Sequence, residues 1–135
     1  MKNLIIIITL IFSTTVYAQV TVQETVTTEV YTTATRNLVL SKYSDNLGYS
    51  LMYKNEEYTY INDYQFLHFK DTTEINTFFN YALEVISTGT KVTLSIDRQN
   101  VTISKFMNSV LIMPKDGYFS MPKNQINKLL ETIKN

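Results

Sequence analysis

Apolar and polar residues alternate along much of this chain, and in two places the alternation gives way to a helical period. Ile75, Phe78, Phe79, Ala82, Leu83 and Ile86 recur at three- and four-residue spacing, which makes one buried stripe of an α-helix. Asp71 and Glu74 stand ahead of the stripe as D-x-x-E, an arrangement that satisfies free N–H groups at a helix start. Gly89 follows and suits a helix stop, because glycine enters the left-handed conformation without a Cβ clash. The spacing predicts a helix over 71–88. Ile126, Leu129, Leu130 and Ile133 make a second stripe, with Pro122 suited to its first turn. They predict a shorter helix over 121–133, with Ser120 or Met121 as its cap.

Period-two segments fill the rest. Val92, Leu94 and Ile96 alternate with Thr93, Ser95 and Asp97; Val101 and Ile103 alternate with Thr102 and Ser104. A loop at Arg98-Gln99 pairs Ile96 with Val101 and Leu94 with Ile103, which puts the apolar residues of both arms on one face. Val110–Met113 is a short apolar run, 114–117 reads as a turn, and Tyr118-Phe119 can pair back briefly. Before the first helix, Arg36–Ser44 and Tyr64–Phe69 read as strands, and Asp45–Gly48 as a turn. Tyr49–Lys54 and Glu57–Ile61 read as hairpin arms around Asn55-Glu56. That register sets Tyr53 opposite Tyr58, Leu51 opposite Tyr60, and Lys54 opposite Glu57. Such cross-strand pairs stabilise antiparallel strands by about 0.2–1 kcal/mol each.

The order predicts an α+β fold. Its expected form is a single antiparallel β-sheet of about 6–7 strands in the order β-β-β-(β)-α-β-β-β-α, with two helices packed on one face. It also fits a loose duplication of a βββα unit, although the halves share no sequence similarity. No βαβ rhythm of a doubly wound sheet is present.

The N-terminus reads as an address. Lys2 precedes the apolar run Leu4–Phe12, and Val16 and Ala18 supply small residues at the −3 and −1 positions of a cleavage site. Residues 1–18 are expected to be a cleaved signal peptide, since the run is shorter than the ~20 residues of a spanning helix. Gln19 stands where a lipoprotein would carry Cys. The mature chain is therefore expected to be exported, periplasmic or extracellular, and not a lipoprotein. Residues 19–35, rich in Thr and Val, are an N-terminal strand or extended leader; residues 36–135 form a single α+β domain.

Composition narrows the chemistry. The 135 residues carry 12 Lys+Arg and 12 Asp+Glu, with no Cys and three Gly. Charge balance argues against a nucleic-acid partner, and the missing Cys excludes disulfides and thiol chemistry. Neither phosphate-binding glycine motif occurs, so no cofactor is expected. His68 is the only histidine, which rules out a His-rich metal centre, and no Asp-rich calcium loop occurs. His68 could serve as a general base, and Asp63 with Asp97 as a carboxylate pair, but no nucleophile motif accompanies them. Asn100-Val101-Thr102 has the form of a glycosylation acceptor.

Tyrosine is the compositional oddity. Tyr43, Tyr49, Tyr53, Tyr58, Tyr60 and Tyr64 fall close together. On the hairpin register Tyr49, Tyr53, Tyr58 and Tyr60 share one face, a rigid amphipathic surface suited to a protein or carbohydrate partner. The expectation is a non-catalytic binding or interaction module. An exported hydrolase using His68 or a carboxylate pair is the first alternative. A structural subunit that self-associates through 19–35 is the second.

Overall fold

The computed structural model describes residues 26–135. The expected signal peptide, and residues 19–25 of the Thr/Val segment, lie outside the described residues. The first sheet is a meander of β1 (Thr27–Thr32), β2 (Leu38–Tyr43), β3 (Tyr49–Lys54) and β4 (Tyr64–Phe69), and α1 (Thr72–Thr88) follows it. The second is a meander of β5 (Val92–Ile96), β6 (Gln99–Phe106), β7 (Ser109–Met113) and β8 (Phe119–Pro122), and α2 (Lys123–Lys134) follows it. All strand pairs are antiparallel. The fold is α+β, but it has two four-stranded sheets in place of the expected single sheet of about 6–7 strands. Strands β4 and β5, which would have to join to make one sheet, are the edges of separate ones.

Alternation assigns the faces. Leu38 and Leu40 of β2, Leu51 and Tyr53 of β3, and Leu67 and Phe69 of β4 point into the core. The second sheet contributes Ile96, Val101, Ile103, Val110, Ile112, Phe119 and Met121 to the same cluster. Ile75, Phe78, Phe79, Ala82, Val85 and Ile86 of α1 and Ile126, Leu129 and Leu130 of α2 complete it. The helices cross over: α1 lies on β6 and β7 of the sheet that follows it, while α2 touches α1, β8 and β1. Neither half could bury its apolar surface without the other.

The ends of α1 follow the sequence signals. Asp71 Oδ1 accepts from Glu74 N at 2.8 Å, Glu74 Oε2 accepts from Lys70 N at 2.7 Å, and Gly89 closes the helix at φ +74°. The last helix starts two residues later than expected. Pro122 is its N-cap and offers no capping side chain, and Met121 is drawn into β8 opposite Val110.

Two registers differ from expectation. The hairpin β5–β6 pairs Leu94 with Val101 and Val92 with Ile103, a slip of two residues that keeps every side chain on its face. The slip moves the two-residue loop back by one position, from Arg98-Gln99 to Asp97-Arg98, both at positive φ (+51° and +59°), as a two-residue hairpin turn requires. The hairpin expected over 49–61 does not form. Glu57–Ile61 is no strand, and β3 pairs instead with β2 and β4, Leu51 standing opposite Leu40 and Leu67. The reason is local. Asn55, 2 % exposed, donates its backbone N–H to Asp63 O at 2.7 Å and its amide to Asp63 Oδ2 at 2.9 Å. Its Oδ1 accepts from Glu57 N and Tyr118 N. These bonds close 55–63 into a loop at its base, and β4 supplies the buried Leu67 and Phe69 that the loop lacks.

Asn55 also joins the sheets. Glu56 N donates to Tyr118 O at 2.8 Å, and the Glu56 carboxylate accepts from Ser120. Gly117, at φ +77°, passes so close to Asn55 that a Cβ there would lie 2.2 Å from the amide. Tyr53 stacks on Phe119 at 4.4 Å, and its hydroxyl donates to Asp116 O at 3.0 Å. Burial, with Asp116 and Asp63 nearby, pushes the Tyr53 phenol up to about 12.

Candidate functional site

The outward face of the first sheet is its distinctive surface. Strand pairing sets side chains in rows across it. One row runs Glu29, Ser41, Ser50, His68; the next runs Thr32, Val39, Met52, Phe66. Val39 is 4 % exposed and Ser50 7 % exposed, yet neither belongs to the shared core. They line a shallow groove of about 400 Å³ on that outer face. Its floor is Val39, Met52 and Phe66; its walls include Glu29, Arg36, Tyr43 and His68. A bulge between Glu29 and Tyr31 adds to the bend of the edge strand.

Polar groups in the groove are held by one another. Tyr43 Oη and His68 Nδ1 are 3.2 Å apart, so Nε2 is the ring nitrogen left for a ligand. Arg36, at φ +55°, forms a bidentate ion pair with Glu29 across the β1–β2 turn. That hydrogen-bonded pairing raises the guanidinium further above its ordinary value. Tyr31, on the core side of β1, is raised by burial.

The four tyrosines assigned to one hairpin face are separated. Tyr49 and Tyr53 point inward from β3, Tyr49 packed against the core and Tyr53 buried in it. Tyr58 and Tyr60 sit on the 55–63 loop, Tyr60 fully exposed. The expected common surface of Tyr49, Tyr53, Tyr58 and Tyr60 is therefore split between core and loop, since it depended on the hairpin that Asn55 and Asp63 prevent. Asp63 and Asp97 are not a pair. Asp63 is held by Asn55 and Gln65 at the loop base, while Asp97 accepts from the His68 backbone N–H at 3.3 Å from the β5–β6 turn. No group of three His, Cys, Asp or Glu suited to a metal ion occurs among the described residues. Asn100 is exposed on β6.

Periodicity had placed His68 on the Phe66 side of β4 but left the rest of the groove unread. The signal was there in Leu38–Tyr43 and Tyr64–Phe69. Both parities carry large apolar residues, Val39 against Leu38 and Leu40, Phe66 against Leu67 and Phe69. Apolar residues on both sides mark a strand whose outer face is not simply polar; Val39 is buried there, while Phe66 stands 52 % exposed. Comparison with protein-family models, with curated proteins and with solved structures finds no match to this chain.

Proposed function

We propose that the protein is a small exported binding module, non-catalytic, whose contact surface is the groove on the first sheet. The observation that carries this reading is the burial of Val39 and Ser50 on a face that the core does not cover. The N-terminal address pattern supports export. An apolar floor with a few convergent polar groups is the usual form of a ligand site. Here the floor of Met52 and Phe66 would take the C–H face of a sugar ring. Ser41, Ser50, Tyr43, His68 and the Glu29–Arg36 pair offer both donors and acceptors to its hydroxyls. A carbohydrate partner is the ligand class that matches this mixture; a protein strand laid in the groove is the other.

Hydrolysis is supported less well. Ser50 stands opposite His68, but the imidazole bonds to Tyr43, and no carboxylate orients the ring as a nucleophile–base pair requires. Self-association through β1 is opposed by the bulge, a common guard of an exposed edge. Titration of the protein with a panel of oligosaccharides is the test. Binding lost in Phe66→Ala and weakened in His68→Ala supports the reading. Turnover that depends on His68 would replace it with the hydrolase, and binding indifferent to both substitutions would remove the groove from it.

A further inference from the structure

We propose a second contact site, independent of the groove: the β6–β7 turn and the lysines around it dock on the surface of an anionic phospholipid bilayer. The turn is Met107-Asn108, with Phe106 paired to Ser109 beneath it. Phe106 is exposed, and Met107 is 81 % exposed at φ +54°. Asn or Gly would occupy that conformation more easily than Met. Two adjacent apolar side chains thus stand at a hairpin tip, one on an unfavourable backbone, both largely open to solvent. A local rule broken without internal compensation points to a contact outside.

Charge surrounds this tip asymmetrically. Lys91 precedes β5, Lys105 lies two residues before Met107, and Lys123 opens α2; all three are exposed. The antiparallel register brings them to one end of the second sheet, and Lys123 N donates to Asn108 O at 3.4 Å. Across residues 85–130 the only acids are Asp97 and Asp116, in the turns at the other end. Glu84 is the nearest acid before this stretch, within the last turns of α1. Lys123 stands at the start of α2 with no acid in the first turn and no side-chain cap. A cation there adds to the positive end of the helix, an unfavourable arrangement unless an anion approaches. The chain as a whole has zero formal charge, so the excess is a local feature.

The occupant follows from shape and charge together. The Phe106 and Met107 side chains have no polar group to pair and need a soft apolar phase, which the acyl boundary of a bilayer provides, while Asn108 beside them suits the polar headgroup level. Lysine stems can lie along that boundary with their charges among anionic headgroups. A nucleic acid would answer the lysines but leave Met107 without a role.

Co-sedimentation of the full chain with phosphatidylcholine vesicles, with and without phosphatidylglycerol, tests the proposal. Every protein compared carries the same N-terminal residues, so any binding through Leu4–Phe12 is common to all arms. The wild type should bind phosphatidylglycerol vesicles at least about tenfold more tightly than neutral ones, and the preference should fall with salt. Phe106→Ser with Met107→Asn should lower that binding about tenfold, and Lys105→Gln with Lys123→Gln by a similar factor. Asn suits the positive φ at 107, so Met107→Asn alone supplies a folded reference, checked by its thermal melt. Phe66→Ala should bind vesicles like the wild type. Equal vesicle binding by the tip variants overturns the proposal. So does binding that heparin abolishes and that the tip variants leave unchanged, which would assign the lysines to polyanions.

Discussion

Across the outer face of the first sheet run Val39, Met52 and Phe66, beside Ser41, Ser50 and His68; across the outer face of the second run Thr93, Thr102 and Met113, then Ser104, Leu111 and Ser120. Both sheets are four-strand meanders followed by a helix, and both give their inner faces to one core. None of these residues on the second sheet's outer face is buried, Leu111 and Met113 being half-buried there, and the Thr93 and Thr102 hydroxyls lie 3.1 Å apart. The first sheet's outer face buries Val39 and Ser50 and leaves Phe66 exposed, apolar surface that supports nothing inside. Their connections differ too. The second sheet turns at Asp97-Arg98 and Met107-Asn108, with strand pairing running up to both turns. The first sheet carries the 55–63 loop between β3 and β4. Equal element order with unequal surfaces separates what the fold requires from what it leaves free for binding.

The largest expected effect tests whether the halves are one unit. Asn55 sits at their junction with four hydrogen bonds and almost no exposure. Asn55→Ala removes the three side-chain bonds to Asp63, Glu57 and Tyr118, each worth about 0.5–1.5 kcal/mol. A loss of about 3 kcal/mol by urea unfolding is expected, in a single transition seen alike by probes in both sheets. Two separated transitions would break the picture of helices crossed between halves. Gly117→Ala should mimic it in direction, because its Cβ meets the same amide at a positive φ.

Next comes the contrast between the outer faces. Phe66→Ala should change stability by less than about 1 kcal/mol, since its side chain stands outside the core. It should weaken ligand binding about tenfold or more, a loss of about 1.4 kcal/mol. Thr102→Ala on the second sheet should leave binding unchanged. Equal effects at Phe66 and Thr102, read by titration, would erase the distinction between the faces.

Smaller again is the alkaline response of the stacked pair Tyr53–Phe119. The Tyr53 phenol is pushed up to about 12 in the folded chain, against about 10 unfolded. The folded state therefore holds the proton more tightly. That stabilisation is complete below pH 10 and is lost as pH rises towards 12. Tyr31 acts in the same sense, raised by burial. Tyr53→Phe should cost about 1 kcal/mol at neutral pH, from the lost bond to Asp116 O. It should also flatten the fall of Tm above pH 10. An unchanged alkaline limb would place that loss elsewhere.

What could be read in the chain before folding follows the range of each interaction. The helices were legible because stripe and cap are local: Ile75 to Ile86 and the Asp71–Glu74 signal lie within a few turns of each other. Faces were legible in β2, β3, β5 and β6, because period two does not depend on partner choice; the unbroken apolar run of β7 assigned none. Partner choice was not legible. Whether Tyr49–Lys54 pairs with Glu57–Ile61 or with Tyr64–Phe69 turns on Asn55, whose four hydrogen bonds reach three residues, at positions 57, 63 and 118. The division into two sheets rests on contacts of the same long range. The groove was half legible: His68 and Phe66 share a parity, but the burial of Val39 and Ser50 depends on neighbouring strands that no single strand encodes. Tyrosine density misled because the same residue type packs the core at Tyr53 and stands free at Tyr60.

The smallest expected effect concerns the turns that distinguish the second sheet. Arg98 is the second residue of a two-residue hairpin loop and holds φ +59°. Asp-Gly is among the preferred pairs for such a turn, and Arg at positive φ carries a Cβ penalty that Gly does not. Arg98→Gly should therefore stabilise the fold by about 0.5 kcal/mol, part of the relief being offset by the greater freedom of Gly in the unfolded chain. Asp97 keeps its bond to the His68 backbone N–H, so the groove should bind its ligand as before. Urea midpoints and a ligand titration on the same variant check both halves of the claim. A stabilised protein with unchanged binding means that turn chemistry in the second sheet and recognition on the first are independent. A change in affinity would show that the Asp97 contact couples the β5–β6 turn to the His68 row, and the two faces would have to be treated as one device.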